Sequence, residues 1–168
     1  MEKVIVLAMH GAPPNDYPRE ALVEFFGLHA QLEHAPPEQQ AGLRGCYEAL
    51  EAHMRSWPRT PANDPFWAAS QDLGARLSQA AGAEVLVGFN EFCSPSVEDV
   101  LEAAAGRGPG RIIVVTPMLT QGGEHAEHDI PAAIERVRSH HPSVLILYAW
   151  PPEADEVARF LAAQIARV

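Results

Sequence analysis

Four short apolar runs, set among helical periodicities, constrain this chain more than any single residue in it. They lie at 3–9 (Val4-Ile5-Val6-Leu7-Ala8-Met9 after Lys3), 84–89, 111–116 and 143–149. Each is of strand length and apolar almost throughout, the pattern of a strand buried on both faces, as in a parallel sheet covered by helices. Between and after them, Val97, Val100, Leu101 and Ala104 repeat at i, i+3, i+4, i+7; Ile130, Ala133, Ile134 and Val137 do the same, and Val157, Phe160, Leu161 and Ile165 form a third stripe. Ser94 is the predicted N-cap of the first of these helices, with Pro95 at its first position. Pro131 disfavours α geometry at Ile130, so the second is predicted to start near Asp129 as N-cap. Alternating strands and helices, joined by right-handed crossovers, predict a three-layer α/β/α domain with a four-stranded parallel sheet.

One connection is too long for this scheme. Residues 11–82 join the first two strands and carry three helical patterns, at 18–34, 38–57 and 64–80, punctuated by Pro36-Pro37 and by Pro58 to Pro61. No strand-like run occurs within it. The expected organisation is therefore one domain over 1–168, with a helical insertion at about 13–82 lying over the sheet's C-terminal edge. Its Phe25, Phe26, Trp57, Phe66 and Trp67 offer more aromatic surface than a connection needs, which predicts an interface there.

Bulk properties exclude several classes. A formal net charge of −10 argues against nucleic acid or an anionic membrane as partner. Cys46 and Cys93 are far apart and indicate neither a disulfide framework nor a thiolate metal site. No run approaches the ~20 apolar residues of a membrane span. Met1-Glu2-Lys3 before a strand-length run does not read as a signal peptide, and the expected location is cytoplasmic.

The chemistry gathers at strand ends. His10 follows the first run and precedes Gly11-Ala12-Pro13-Pro14; His125 follows the third, after Thr120-Gln121-Gly122-Gly123-Glu124. Ligands of open α/β sheets bind at the carboxyl ends of the strands, so both imidazoles are delivered to one crevice. Either alone reads equally well as a strand-end histidine bonded to backbone; the pair points to a metal or proton-transfer site. Glu91, between Phe89-Asn90 and Phe92, is a carboxylate that needs a partner, which a cation shared with the histidines or a neighbouring helix N-terminus would supply. His125 is expected in a Gly-hinged loop. Glu124, Glu127 and His128 read as solvated loop residues. His29, His34 and His53 belong to the insertion, and His140-His141 suits a helix C-terminus.

No H-E-x-x-H, Walker A, G-x-G-x-x-G after the first strand or G-x-S-x-G is present, and His125-Ala126-Glu127 lacks the P-C-x-x-C of zinc deaminases. Three segments do resemble one family. Met9-His10-Gly11 ends the first strand; Phe89-Asn90-Glu91-Phe92-Cys93-Ser94-Pro95-Ser96 places a Glu before a Pro-Ser helix start; and Val115 to Pro131 contains a G-x-H-x-x-x-D-I-P core. In this order they are similar to the small class II tetrapyrrole metal chelatases, sirohydrochlorin cobaltochelatase and its ferrochelatase relatives. The resemblance covers 1–12 and 84–168.

It implies a chelatase that inserts cobalt, or else nickel or iron, into a tetrapyrrole such as sirohydrochlorin, in cobalamin- or siroheme-type cofactor biosynthesis. His10, Glu91 and His125 would be its metal-handling and catalytic residues, and the divalent metal a substrate, with no tightly bound cofactor. Imidazole and carboxylate suit first-row divalent ions and can take pyrrole protons. The negative charge favours the metal but not an octacarboxylate macrocycle, so backbone N–H groups, helix N-termini or a few arginines must bind the substrate. Larger family members resemble two lobes facing across a cleft, which implies a homodimer here. Two other readings stay open: a non-catalytic metal or tetrapyrrole carrier on the same fold, and an unrelated α/β enzyme using His10 and His125 as an acid–base pair.

Overall fold

The computed structural model describes residues 3–168, and all their side chains except that of Glu33. Met1 and Glu2, where the reading against a signal peptide begins, lie outside the described residues. The first apolar run becomes β1 (Lys3–Met9), and its neighbours are β2 (Glu84–Phe89), β3 (Arg111–Val115) and β4 (Leu145–Tyr148). All pairings are parallel, in the order β2-β1-β3-β4. Register places Met9 beside Phe89 and Leu7 beside Val115, so the carboxyl ends of the three strands share one edge.

Side chains alternate across the pleat and build two cores. Val4, Val6, Ala8, Ile112, Val114 and Ile146 face α4 (Val97–Ala105) and α5 (Ile130–His140), which contribute the periodic residues of their stripes. On the other face Leu7, Met9 and Phe89 pack with Trp67 and Leu77 of α3 (Pro65–Ala81). The expected three-layer α/β/α class is what forms. Gly88 lets α4 approach β2: a Cβ there would lie 2.9 Å from the Val97 Cα.

The long connection folds as α1 (Arg19–His34), α2 (Pro37–Arg55) and α3. Asp64 caps α3 by accepting the Trp67 N–H. Because α3 covers β2 it is the crossover helix proper, and α1 and α2 are the addition. Tyr17, Phe25, Met54 and Phe92 form a third core beneath them.

Three sequence expectations need correction. Ser96, not Ser94, caps α4, through a reciprocal capping box with Asp99 that satisfies two free N–H groups at once. Of the insertion's aromatics Phe25 is buried and Trp57 and Trp67 pack on their own cores, which leaves only Phe26 and Phe66 exposed among the five. Conversely the stripe on α6 (Ala154–Ile165) faces solvent; that helix buries no residue, and Phe160, Leu161 and Ile165 are all exposed. Leu145 and Leu147 of β4 are exposed as well, on the sheet face whose other half α3 covers. No helix among the described residues is long and apolar enough to cross a membrane.

Candidate metal centre

The strand order creates the site. The chain leaves β1 toward the α3 face and leaves β3 toward the α5 face, so the two connections diverge and open a crevice between the strand ends. His10 stands immediately beyond β1 in that crevice. Glu91, two residues beyond β2, is drawn across to it by backbone: Glu91 N–H donates to the His10 carbonyl at 2.9 Å, and Asn90 N–H to that of Met9 at 2.9 Å. Such an approach requires Gly11. Its φ is +104°, and a Cβ on it would sit 2.0 Å from the Glu91 carbonyl oxygen.

His125 arrives differently from expectation. Residues His125–Asp129 form a π-helical turn running directly into α5, closed by Ile130 N–H donating to the His125 carbonyl. Ile130 is helical in spite of the following proline, because Pro131 lies in the first turn of α5, where a missing N–H is tolerated. Glu124 is already helical, so His125 is held on a helical turn rather than in a glycine-hinged loop. Ala126 is buried and its carbonyl accepts the Tyr148 hydroxyl at 3.0 Å, which ties the turn to β4. Glu127, read as a solvated loop residue, instead accepts the Gly122 N–H at 2.7 Å. Asp129 makes no capping bond to α5; its carboxylate takes the His125 Nδ1–H at 2.6 Å.

Three donors thus meet. One ligand atom each from His10, Glu91 and His125 lies within 4.8 Å of the others. Glu91 Oε2 stands 4.0 Å from His10 Nε2 and 3.8 Å from His125 Nε2, too far for hydrogen bonds. The imidazoles meet edge to face, 4.5 Å between centroids. His10 Nδ1 faces the Gly11 carbonyl at 2.9 Å and therefore carries its proton, as His125 Nδ1 does toward Asp129. Both lone pairs sit on Nε2 and converge on the carboxylate. Metal bonds of ~2.1 Å at tetrahedral angles separate ligand atoms by ~3.4 Å, so a slight closure would let the three hold one divalent ion.

Two arginines missed in the sequence brace the Glu91 segment. Arg55 donates to the carbonyls of Cys93 and Asn90, at 2.9 and 2.5 Å. Arg59, in the Pro58–Pro61 stretch, donates to the carbonyls of Ala12, Met54 and Phe92 and pairs with buried Asp64 at 2.5 Å. Between them Phe92 adopts a left-handed backbone, φ +59°, at a cost of roughly 1–3 kcal/mol that this bracing offsets. No short-range pattern marks this bracing, since the carbonyls of Ala12, Asn90, Phe92 and Cys93 lie more than thirty residues from the arginines that grip them. Burial pushes the Cys93 thiol up, as befits a packing residue rather than a ligand.

A cavity of about 820 Å³ reaches the trio at Glu91, with neither His10 nor His125 in its lining. Phe25, Arg44, Tyr47 and Arg55 line it from the insertion, and Glu91, Phe92, Asp129 and Arg136 from the sheet edge and α5. Burial, with Glu51 and Glu91 nearby, pushes the Tyr47 phenol up to about 12, so it stays a neutral donor.

The CbiX family model matches residues 64–167. This chain belongs to the CbiX family. Glu91 and His125 fall within the matched segment; His10 and the α1–α2 addition precede it. A sirohydrochlorin ferrochelatase of Priestia megaterium is 41% identical over 68 residues, 40% of this chain and 25% of that protein. A sirohydrochlorin cobaltochelatase of Sulfurisphaera tokodaii is 35% identical over 82 residues, 48% of this chain and 64% of that protein. The chain therefore spans about a quarter of the first relative and under two thirds of the second. Among solved structures, a putative cobalamin biosynthesis CbiX protein from Marinobacter aquaeolei aligns over 99% of both chains with a TM-score of 0.50 and 18% identity, a likeness of fold.

Proposed function

We propose that this chain inserts a divalent metal into a tetrapyrrole of the sirohydrochlorin class, acting as one chelatase-like domain with a helical addition. The observation that carries the reading is the convergence of His10, Glu91 and His125, from three strand ends, with Glu91 also lining a cavity of about 820 Å³. That volume lies toward the upper end of the ~300–1,000 Å³ of small-molecule sites. Three ligands of mixed imidazole and carboxylate type hold a first-row ion while leaving positions for an incoming pyrrole nitrogen.

Metallation exchanges M²⁺ for two pyrrole protons. Glu91 supplies the charge that offsets the metal's loss of water, and the two Nε2 atoms alternate between holding the metal and receiving protons. Aromatic walls at Phe25, Tyr47 and Phe92 suit a flat macrocycle. Arg44, exposed at the cavity and without a hydrogen bond or ion pair among the described residues, is placed to meet a substrate carboxylate. Cobalt is the metal we favour, with nickel or iron as the alternatives, in cobalamin- or siroheme-type biosynthesis. The test is the absorbance of sirohydrochlorin with Co²⁺, Ni²⁺ or Fe²⁺, with and without protein. Acceleration above the protein-free rate is expected, most with Co²⁺; no acceleration with any of the three would refute the reading.

The active form we propose is a homodimer, with its interface on α6 and β4 rather than on the insertion. Phe160, Leu161 and Ile165 on the helix and Leu145 and Leu147 on the sheet are apolar surfaces that the chain does not cover itself. A two-fold axis lets each copy's α6 lie on the other's bare sheet face, satisfying both patches twice. Sedimentation at micromolar concentration is expected to show twice the 18.3 kDa of the chain, and Phe160→Asp/Leu161→Glu to reduce it to 18.3 kDa. A monomeric unsubstituted protein at that concentration counts against the dimer.

A further inference from the structure

We propose that Asp129 is the positioning residue of the metal centre, holding His125 in the tautomer and ring orientation that aim its Nε2 at Glu91 and His10. The inference rests on the reading of that trio as a metal site. The Asp129 carboxylate has no capping role in α5, and its one polar contact among the described residues is the 2.6 Å bond from His125 Nδ1. That bond fixes the proton on Nδ1 and leaves the Nε2 lone pair 3.8 Å from Glu91 Oε2. Without it the ring could turn about χ2 or carry its proton on Nε2, and either change removes a donor from the trio.

The wider π-helical turn brings the two residues, four apart, onto one side of the backbone. Buried Ala126 and its bond from Tyr148 prevent the turn from shifting as a whole. The two imidazoles are therefore unequal. His10 leans on a neutral carbonyl and His125 on a carboxylate, and a carboxylate behind the ring makes a histidine the stronger metal ligand.

The experiment titrates Co²⁺ alone into the full chain by calorimetry. Losing such an outer partner typically costs 10–100-fold in metal affinity. Asp129→Ala is expected to weaken Co²⁺ binding by about that factor and to raise the KM for metal. Asp129→Asn should recover much of the loss, because its amide oxygen still accepts the Nδ1–H. In a His125→Ala background the Asp129→Ala change should add nothing, since the partner it orients is gone. Half-exposed Asp129 is not part of the core, so the melting temperature reports any general damage separately.

Unchanged Co²⁺ affinity in Asp129→Ala, or an equal further loss in the His125→Ala background, would overturn the positioning role. If His125→Ala itself binds Co²⁺ as tightly as the unsubstituted chain, the metal-site reading fails instead.

Discussion

The His10→Ala/His125→Ala protein is expected to metallate sirohydrochlorin no faster than metal and macrocycle do without protein. Each imidazole presents its Nε2 to the Glu91 carboxylate, so the double substitution leaves one carboxylate to hold the ion and no neutral base to take a pyrrole proton. Loss of a positioned proton acceptor alone costs roughly 10²–10⁴-fold in rate. Of the single variants, His125→Ala should be the more damaging, because its carboxylate-backed ring is the stronger ligand of the pair. The fold should survive. His10 is half-exposed, and the turn carrying His125 is anchored by Ala126, Ile130 and the Tyr148 hydroxyl rather than by the imidazole. Rates are compared with a protein-free control for each metal. A double variant working at the unsubstituted rate would make both histidines bystanders.

Gly11→Ala is expected to separate His10 from Glu91 without touching either side chain. The new methyl would lie 2.0 Å from the Glu91 carbonyl oxygen, and the residue would have to hold φ at +104°. The clash is with backbone, which no rotamer change relieves. One of the two segments must retreat, breaking the 2.9 Å bond between Glu91 N–H and the His10 carbonyl. Strain of roughly 1–3 kcal/mol and a lost hydrogen bond of about 0.5–1.5 kcal/mol together predict a loss of about 2–4 kcal/mol in urea unfolding. Co²⁺ affinity should fall as the trio opens. Gly42→Ala is the control: it lies in α2 with nothing near its Cβ position, and it should stabilise by about 0.5–1 kcal/mol. Native stability and Co²⁺ binding in Gly11→Ala would show that the close approach is unnecessary.

Much of this arrangement is legible in the chain because short-range signals dominate it. Apolar runs located all four strands, with ends moved by no more than two residues, 143–149 becoming Leu145–Tyr148 and 111–116 Arg111–Val115, although β4 is buried on one face only. Apolar spacing located α4, α5 and α6, and His10, Glu91 and His125 stood out because each follows a strand at the same end. Capping was less legible. Ser94 and Ser96 flank one proline and are chemically alike, and only the helix direction, which aims the Asp99 N–H at Ser96, separates them. Asp129 does hold the position before α5 that the sequence predicts for a cap, but its carboxylate turns to the imidazole that the π-helical turn places beside it.

By itself the sequence determined the number and kind of elements, the parallel sheet and which end of it carries the chemistry. Periodicity records which side of an element avoids water, and parallel connectivity then puts every strand's following loop at one edge. Tertiary structure alone decided what covers each apolar side. Val157, Phe160, Leu161 and Ile165 are spaced like the buried stripe of α5, yet α6 buries none of them and leaves the last three in solvent, while Phe25, Trp57 and Trp67 of the insertion turn inward. It also decided how Glu91 reaches His10. That distance depends on Gly11 lacking a Cβ and on Arg55 and Arg59 gripping carbonyls remote in the chain. A backbone carbonyl is the same at every residue, so no pattern of side chains announces which one an arginine will find.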